Sequence, residues 1–503
     1  MSRQQRLTLV ATILGSTVVF LDSTVVNVAL PAIADGLDAG LAGQQWVVEA
    51  YMLTLVSLLL VGGSLGDQLG RRRMFVAGLV AFGICSVLCA IAPTVELLIA
   101  ARALQGIAGA LLVPGSLAIV AATFEGPARG KAVGTWTAWT GIATVIGPAG
   151  GGALIGFTSW RAIFWINVPL IAATVALALH SVRESRAPDA FRGVDWLGIA
   201  LSAAGLGGPV FALIEQPDRG WGDPAVWAPL VAGIACFALF VVHEARARHP
   251  MLDLGLFRIR NFAVANLTTL TAYAGLIGGL FFVGLFLQQV GGYSPLEAGL
   301  ATTPISLILF FGSPRWGRLA SGTGPRLPMT LGPIVGGLGL LLLLRVGSDA
   351  DYVADVLPGI VVFGLGLSAT VAPLTATVLD SVQERHVGIA SGVNNGVSRV
   401  AGLLAIAVLG AIVSARFAAL APDVSGGPLT AAAPAASASA FHLGIAIAAA
   451  LMIAGGVVSA LGIENPAQRE EAFPTRGAAA AGECGHGSNA DCSDREPIAV
   501  ESV

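Results

Sequence analysis

The chain has 503 residues, of which 55% are hydrophobic and only 11% charged, with a net charge of -3 and a mean hydropathy of +0.80. Soluble domains carry about 25% charged residues, so a soluble globular fold is excluded, and the near-neutral balance supplies no basic surface for nucleic acid. An all-α polytopic membrane protein is expected, with the lipid bilayer as its surroundings.

Met1 to Arg6 is short and basic and runs into an apolar stretch without a small-residue cleavage site. It reads as the start of a first membrane helix and not as a removed leader. Fourteen spans of bilayer length are expected, at about 7–30, 47–66, 74–92, 97–122, 134–156, 163–182, 194–214, 225–243, 262–289, 298–320, 327–345, 354–377, 388–414 and 440–462. One set of alternate loops holds sixteen basic residues, Arg71 to Arg73 among them, and the other holds four, Arg161, Arg219, Arg345 and Arg416. The positive-inside rule then places both termini in the cytoplasm. Cys85, Cys89 and Cys236 fall in apolar runs and read as small core residues.

The first span carries Leu21-Asp22-Ser23-Thr24-Val25-Val26-Asn27-Val28-Ala29-Leu30-Pro31. An ionised aspartate near mid-membrane costs about 3 kcal/mol or more, so Asp22 is kept neutral, paired or exposed to a watery cavity. It is a candidate for binding a proton or a cationic substrate, or for a structural hydrogen bond to a neighbouring helix. Asn27 lies about 140° around the helix from Asp22 and shares no tight site with it. Glu49 in the second span is either a second proton or cation site or an acid at the outer interface.

Next comes a polar knot between two apolar runs, Gly63-Ser64-Leu65-Gly66-Asp67-Gln68-Leu69-Gly70-Arg71-Arg72-Arg73. The arginines fix topology, while Asp67 and the glycines suit a tight turn and a latch. Arg102 follows in the fourth span, where an arginine faces a cavity or a partner, or snorkels to an interface. Gln105 at i+3 can share its face. The fifth span contains Gly147-Pro148-Ala149-Gly150-Gly151-Gly152, in which proline breaks a helix hydrogen bond and the glycines permit close contact with a helix of the other half. A degenerate copy of the knot, from Gly317 to Arg326, has Ser321 where the first has Asp67. Spans seven and eight then read as an insertion between two related six-helix halves. Residues 1–182 form the N-terminal half, 183–261 the two inserted helices with flanking loops, 262–462 the C-terminal half, and 463–503 a disordered tail. Gln288, Gln289, Asn394 and Asn395 are candidates for the substrate cavity, together with Asn27 and Gln105. Arg399 can line that cavity too, and is expected to pack against a partner. Cys484, His486 and Cys492 in the Gly-rich tail are too few to specify a metal.

These motifs, in this order over the first 170 residues, resemble the major facilitator superfamily, and within it the fourteen-span drug:proton antiporters, which include bacterial multidrug and antibiotic-resistance exporters. The resemblance implies that Arg102 takes part in proton coupling with Asp22. It implies that Asp67, Gly70 and Arg71 form a gate, and that Gly147, Pro148, Gly151 and Gly152 form the antiporter signature of the exporters. The expected activity is proton-coupled efflux of an amphiphilic, often cationic, drug by alternating access, by a monomer in the bacterial cytoplasmic membrane. The alternatives are a lipid or metabolite exporter on the same fold, and a membrane sensor or scaffold without flux. No Gly-Lys-Ser/Thr, His-Glu-x-x-His or Cys-x-x-Cys motif occurs. Neither enzymatic activity nor a metal or cofactor is expected, and the proton motive force is the energy source.

Overall fold

The computed structural model describes residues 1–124, 126–186, 195–247, 254–383, 387–424 and 429–465. The tail with Cys484, His486 and Cys492 lies outside them, as does the Asp67 side chain. Among the described residues there are helices and no strands, and twelve helical segments are long and apolar enough to cross a membrane.

The helices are α1 (Arg3–Leu37), α2 (Leu41–Leu69), α3 (Arg71–Ile91), α4 (Val95–Thr123), α5 (Gly126–Phe157), α6 (Ala162–Trp165), α7 (Asn167–Ser181), α8 (Trp196–Arg219), α9 (Pro224–Arg246), α10 (Arg260–Gln289), α11 (Pro295–Thr323), α12 (Arg326–Leu342), α13 (Leu357–Asp380), α14 (Val387–Leu420) and α15 (Pro434–Gly462). Their ends follow local chemistry. Ser2 caps α1 and Ser294 caps α11, each in a reciprocal capping box with Gln5 or Glu297. Helix α1 is longer than the span expected at 7–30, because it continues through Pro31 to Leu37. A proline inside a membrane helix is tolerated where neighbouring helices pack against the loosened turn.

Helices α1 to α7 pack on one another, as do α10 to α15, while α8 and α9 form a hairpin that packs through α8 on α2 and α14. Asp195 caps α8 through the Gly198 amide (2.8 Å) and meets His243 of α9 at 2.9 Å, which clips the hairpin together at its base. Trp46 donates its indole N–H to Glu215 (3.0 Å), tying the hairpin to α2.

The polar knot and its copy build the same turn. Gly70 ends α2 with φ 119° and Gly324 ends α11 with φ 87°, backbone that favours glycine. In each half the strand after the last helix returns to this turn. Glu184, three residues beyond α7, accepts from the Arg72 and Arg73 amides at 3.0 and 3.3 Å. Asn465, three residues beyond α15, accepts from the Arg326 amide at 3.0 Å. Both caps satisfy donors at the start of a helix that would otherwise face the interface unpaired.

Helices α2 and α14 run antiparallel, with Gln45 against Ile406 and Met52 against Arg399, so both ends of the described chain lie on one face. Away from that face, a single apolar core joins the halves, from Val25, Leu30 and Phe164 to Phe282, Phe286 and Phe441. Towards the termini the core divides. One cluster with Phe75, Leu79 and Val182 belongs to the first half, and another with Phe262, Met329 and Val378 to the second. The halves are therefore sealed on the far face and apart on the termini face.

The seal depends on close backbone approach. A side chain at Gly152 would strike the Pro295 carbonyl, and one at Gly299 the Pro148 carbonyl, so α5 and α11 touch nearly backbone to backbone. Gln45 adds a bond to the Ile406 carbonyl (2.7 Å) and Gln289 one to Gln44 (3.2 Å). Gly299→Leu should destabilise this closed arrangement by about 1–3 kcal/mol through overpacking. In a background without native cysteines, thiol-reagent labelling of Leu296→Cys should rise severalfold with that substitution, and unchanged labelling would show that the seal lies elsewhere.

Candidate functional site

The chemistry concentrates in a buried polar cluster inside the first half. Asp22 on α1 is 2% exposed and Arg102 on α4 is 1% exposed. Arg102 Nη1 donates to Asp22 Oδ2 at 2.5 Å. The other carboxylate oxygen accepts from Gln105 Nε2 and from Asn167 Nδ2 of α7, both at 3.1 Å. Arg102 also donates to the Val47 carbonyl of α2 (3.1 Å) and to Gln105 Oε1 (2.7 Å). Ser86 of α3 accepts from Gln105 (3.0 Å) and Asn167 (3.3 Å). The guanidinium lies 4.2 Å from the centre of the Tyr51 ring, a cation–π contact that strengthens when both groups are dry.

Five helices thus contribute to one cluster, and the arrangement answers the cost of burying charge. Two unpaired ions in the membrane interior are each expensive, and a pair becomes tolerable only with good geometry and satisfied remaining donors and acceptors. Here Asp22 accepts three hydrogen bonds, so neither carboxylate oxygen is left without a donor.

Glu49 is the contrasting acid. It is 0% exposed and neither carboxyl oxygen has a hydrogen-bond partner. Gln45, Glu49, Met52 and Val56 recur at helical spacing along α2. Gln45, Met52 and Val56 all meet α14 or pack beside it. Burying a carboxyl without hydrogen-bond partners is costly, and far more so in its charged form.

A cavity of about 270 Å³ lies between the halves on the termini side of the seal. Phe20 and Met52 line it from the first half, and Tyr273, Ile277, Thr375, Ser391, Asn394, Asn395, Ser398, Arg399 and Leu403 are among those lining it from the second. Phe20 and Asp22 both lie on α1, and Met52 and Tyr51 on α2, so the cavity and the ion-pair cluster are built in part on the same two helices.

The other expected residues fall as follows. Asn394 lines the cavity and donates to Thr269 (2.7 Å) and Asn266 (3.2 Å). Gln105 is committed to the ion-pair cluster and is fully buried there. Gln288 donates to the Gly284 carbonyl of its own helix, and the Asn27 amide to the Ser23 carbonyl at 3.5 Å. Neither lines this cavity. Gly147 and Gly151 admit Thr24 and Val25 of α1, while Gly152 meets α11 and the Pro148 carbonyl meets Gly299. At the gate, the Arg71 amide donates to the Ser185 carbonyl (3.0 Å) and its guanidinium to the Ala118 carbonyl (3.4 Å), both within the first half.

Asn167, Ser86, Tyr51 and Glu184 escape the sequence reading. Asn167 carried the strongest available signal, an amide within the apolar run of the span expected at 163–182. No clusters of metal-ligand type occur among the described residues.

Residues 12–406 match the family model of the Major Facilitator Superfamily, and the chain belongs to that family. It is 37% identical over 417 residues to the multidrug resistance protein Stp of Mycobacterium tuberculosis, covering 82% of this chain and 77% of the relative. It is 32% identical over 416 residues to the tetracenomycin C resistance and export protein of Streptomyces glaucescens, covering 83% and 77%. It is 34% identical over 412 residues to the methylenomycin A resistance protein of Bacillus subtilis, covering 80% and 87%. Among solved structures, an inward-facing, unoccupied bacterial homologue of the human lysosomal transporter Spinster aligns with a TM-score of 0.66 at 16% identity, covering 92% of this chain and 97% of that one. The fold is thus that of a membrane transporter.

Removing one partner of the buried pair should be costly and removing both should be mild. Asp22→Ala leaves Arg102 uncompensated and should destabilise the protein by about 3–5 kcal/mol, whereas Asp22→Asn with Arg102→Gln should recover most of that loss. Thermal unfolding in detergent checks the order; equal losses in the two variants would contradict the account.

Proposed function

We propose that this chain is a proton-coupled efflux transporter that moves an amphiphilic drug or antibiotic out of the cell by alternating access. The carrying observation is the ion pair of Asp22 and Arg102, buried beside a cavity that both halves line. The resistance and export functions printed for its relatives support the direction and the substrate class.

The reading extends to architecture. Helices α2 and α5, of 29 and 32 residues, supply two spans beyond the twelve, giving fourteen in a plan of six, two inserted and six. The excess of arginine on the termini face supports a cytoplasmic position for that face, in the bacterial cytoplasmic membrane. The protein works as a monomer, without a cofactor, on the proton motive force.

Two acids divide the work. Asp22 is the exchange site. In this state, open towards the termini, it is paired with Arg102, an arrangement that suits the form that has given up its proton. Protonation would release Arg102 from its main partner and change how α1 and α4 pack. Glu49 acts at the closure. Neutral, it permits α2 and α14 to meet; charged, it would have to leave the dry interface, which favours opening on the far face. One proton crossing 100 mV supplies about 2.3 kcal/mol, on the scale of such a conformational bias. The turn at Asp67, Gly70 and Arg71 is the companion gate on the termini face.

The test is antiport in proteoliposomes with an imposed pH gradient, an internal pH dye, and tetracenomycin C, methylenomycin A and further antibiotics offered in turn. At least one should drive proton movement. Asp22→Asn should cut coupled exchange by about tenfold or more, the loss general acid–base groups typically exceed when removed. Glu49→Gln, a mimic of the neutral acid, should retain binding and lose dependence on the gradient. Flux indifferent to the gradient, or full coupling in Asp22→Asn, would refute proton antiport.

A further inference from the structure

Within that efflux reading, we propose that the cavity selects amphiphiles bearing an acidic oxygen group, such as a carboxylate, enolate or phenolate, and that Arg399 on α14 is the residue that binds it. The cavity's charge is the opposite of the one expected from the acids in the sequence. Its lining residues include no aspartate, glutamate, lysine or histidine, and Arg399 is the one that carries a formal charge. The two intramembrane acids do not supply a counter-charge there. Asp22 is neutralised by Arg102 at 2.5 Å, and Glu49 is fully buried on α2, outside the lining.

Arg399 is also under-used. A guanidinium offers five N–H donors in a planar fork, suited to two parallel bonds with an oxyanion. Its described polar contact is the Met52 thioether, 3.8 Å from Nη1, a weak acceptor. No carboxylate among the described residues lies within ion-pair distance of it. An arginine in a membrane protein without a protein anion beside it, and facing a cavity, is provided for by what enters that cavity.

The remaining surface fits an amphiphile. Phe20, Met52, Ile277 and Leu403 offer an apolar wall, and Tyr273 adds an aromatic ring. Asn394, held in place by Asn266 and Thr269, adds an oriented amide to the same lining. A ligand beside Arg399 and Met52 touches α14 and α2, one helix from each half, where the two halves come together. The bound anion would then do more than fill space, since it would neutralise the charge that faces the closing interface.

A matched set of probes tests charge selection: anthracene-9-carboxylate, its methyl ester, and (anthracen-9-ylmethyl)trimethylammonium, each titrated against purified protein in nanodiscs. The carboxylate should bind about tenfold or more tightly than the ammonium, as a charge-assisted hydrogen bond implies. Arg399→Gln should abolish that preference with little change for the ester, and Arg399→Lys should keep the preference in weakened form. Equal or tighter binding of the ammonium would overturn the proposal, as would no binding of any probe. An equal loss for all three probes in Arg399→Gln would also overturn it, assigning Arg399 a structural role. The same variants are assayed for gradient-driven antibiotic exchange. If wild type exchanges an antibiotic but shows no anion preference, this inference fails and the efflux reading stands; if it exchanges none of those tested, the efflux reading fails.

Discussion

The cost of burying one carboxylate shapes the whole first half. Once Asp22 sits in the interior of α1, a cation must reach it, and Arg102 reaches it from α4. Once Arg102 is there, its remaining N–H groups require acceptors, and the Val47 carbonyl and Gln105 provide them. The second carboxylate oxygen then requires donors, which come from Gln105 and Asn167. Each solution recruits another helix, so α1, α2, α3, α4 and α7 are positioned by a single chain of obligations. The result is a stiff six-segment body, and stiffness is what rocking one half against the other demands.

The contact between halves follows a different logic. It uses glycine and carbonyl groups on the far face, and neutral amides in place of ions: Gln45 to Ile406, Gln44 to Gln289. Such contacts are worth about 1 kcal/mol each. They hold a state without locking it. Among the described residues the tight ion pair of Asp22 and Arg102 lies inside a half, while the far-face bonds between halves are made by neutral amides. That distribution suits the alternating access proposed above.

Much of this was legible in the sequence because membrane burial makes polar residues conspicuous. Asp22, Glu49 and Arg102 stood out by their cost alone. The glycines around Pro148 announced close approach, and the polar knot announced a turn, whose copy at Gly324 repeats the positive φ of Gly70. What escaped were partners. Nothing periodic links Asn167 or Ser86 to Asp22, since their meeting is settled by helix packing and not by local pattern. Glu184 looked like an ordinary loop acid, yet it caps α3 from over a hundred residues away. Gln105 shows the opposite error: its amide suited a substrate cavity, but the donors and acceptors around Asp22 and Arg102 claimed it. Arg399 was expected to line the cavity and to pack against a partner; it does line the cavity, and its described partner is the Met52 sulfur.

The returning strands carry a practical consequence for anyone who cuts or extends this polypeptide. Each half is fastened by a residue that lies beyond its last helix, Glu184 in one and Asn465 in the other. The true end of the second half is therefore Asn465 and not Gly462, and Glu464 adds to the fastening through Arg260 and Asn261. An affinity tag, a fluorescent fusion or a shortened version that begins or stops at the helix boundary would remove the fastener of α12 while leaving every span intact. Such a product would look complete by any count of membrane segments and still lack the clasp of its second half.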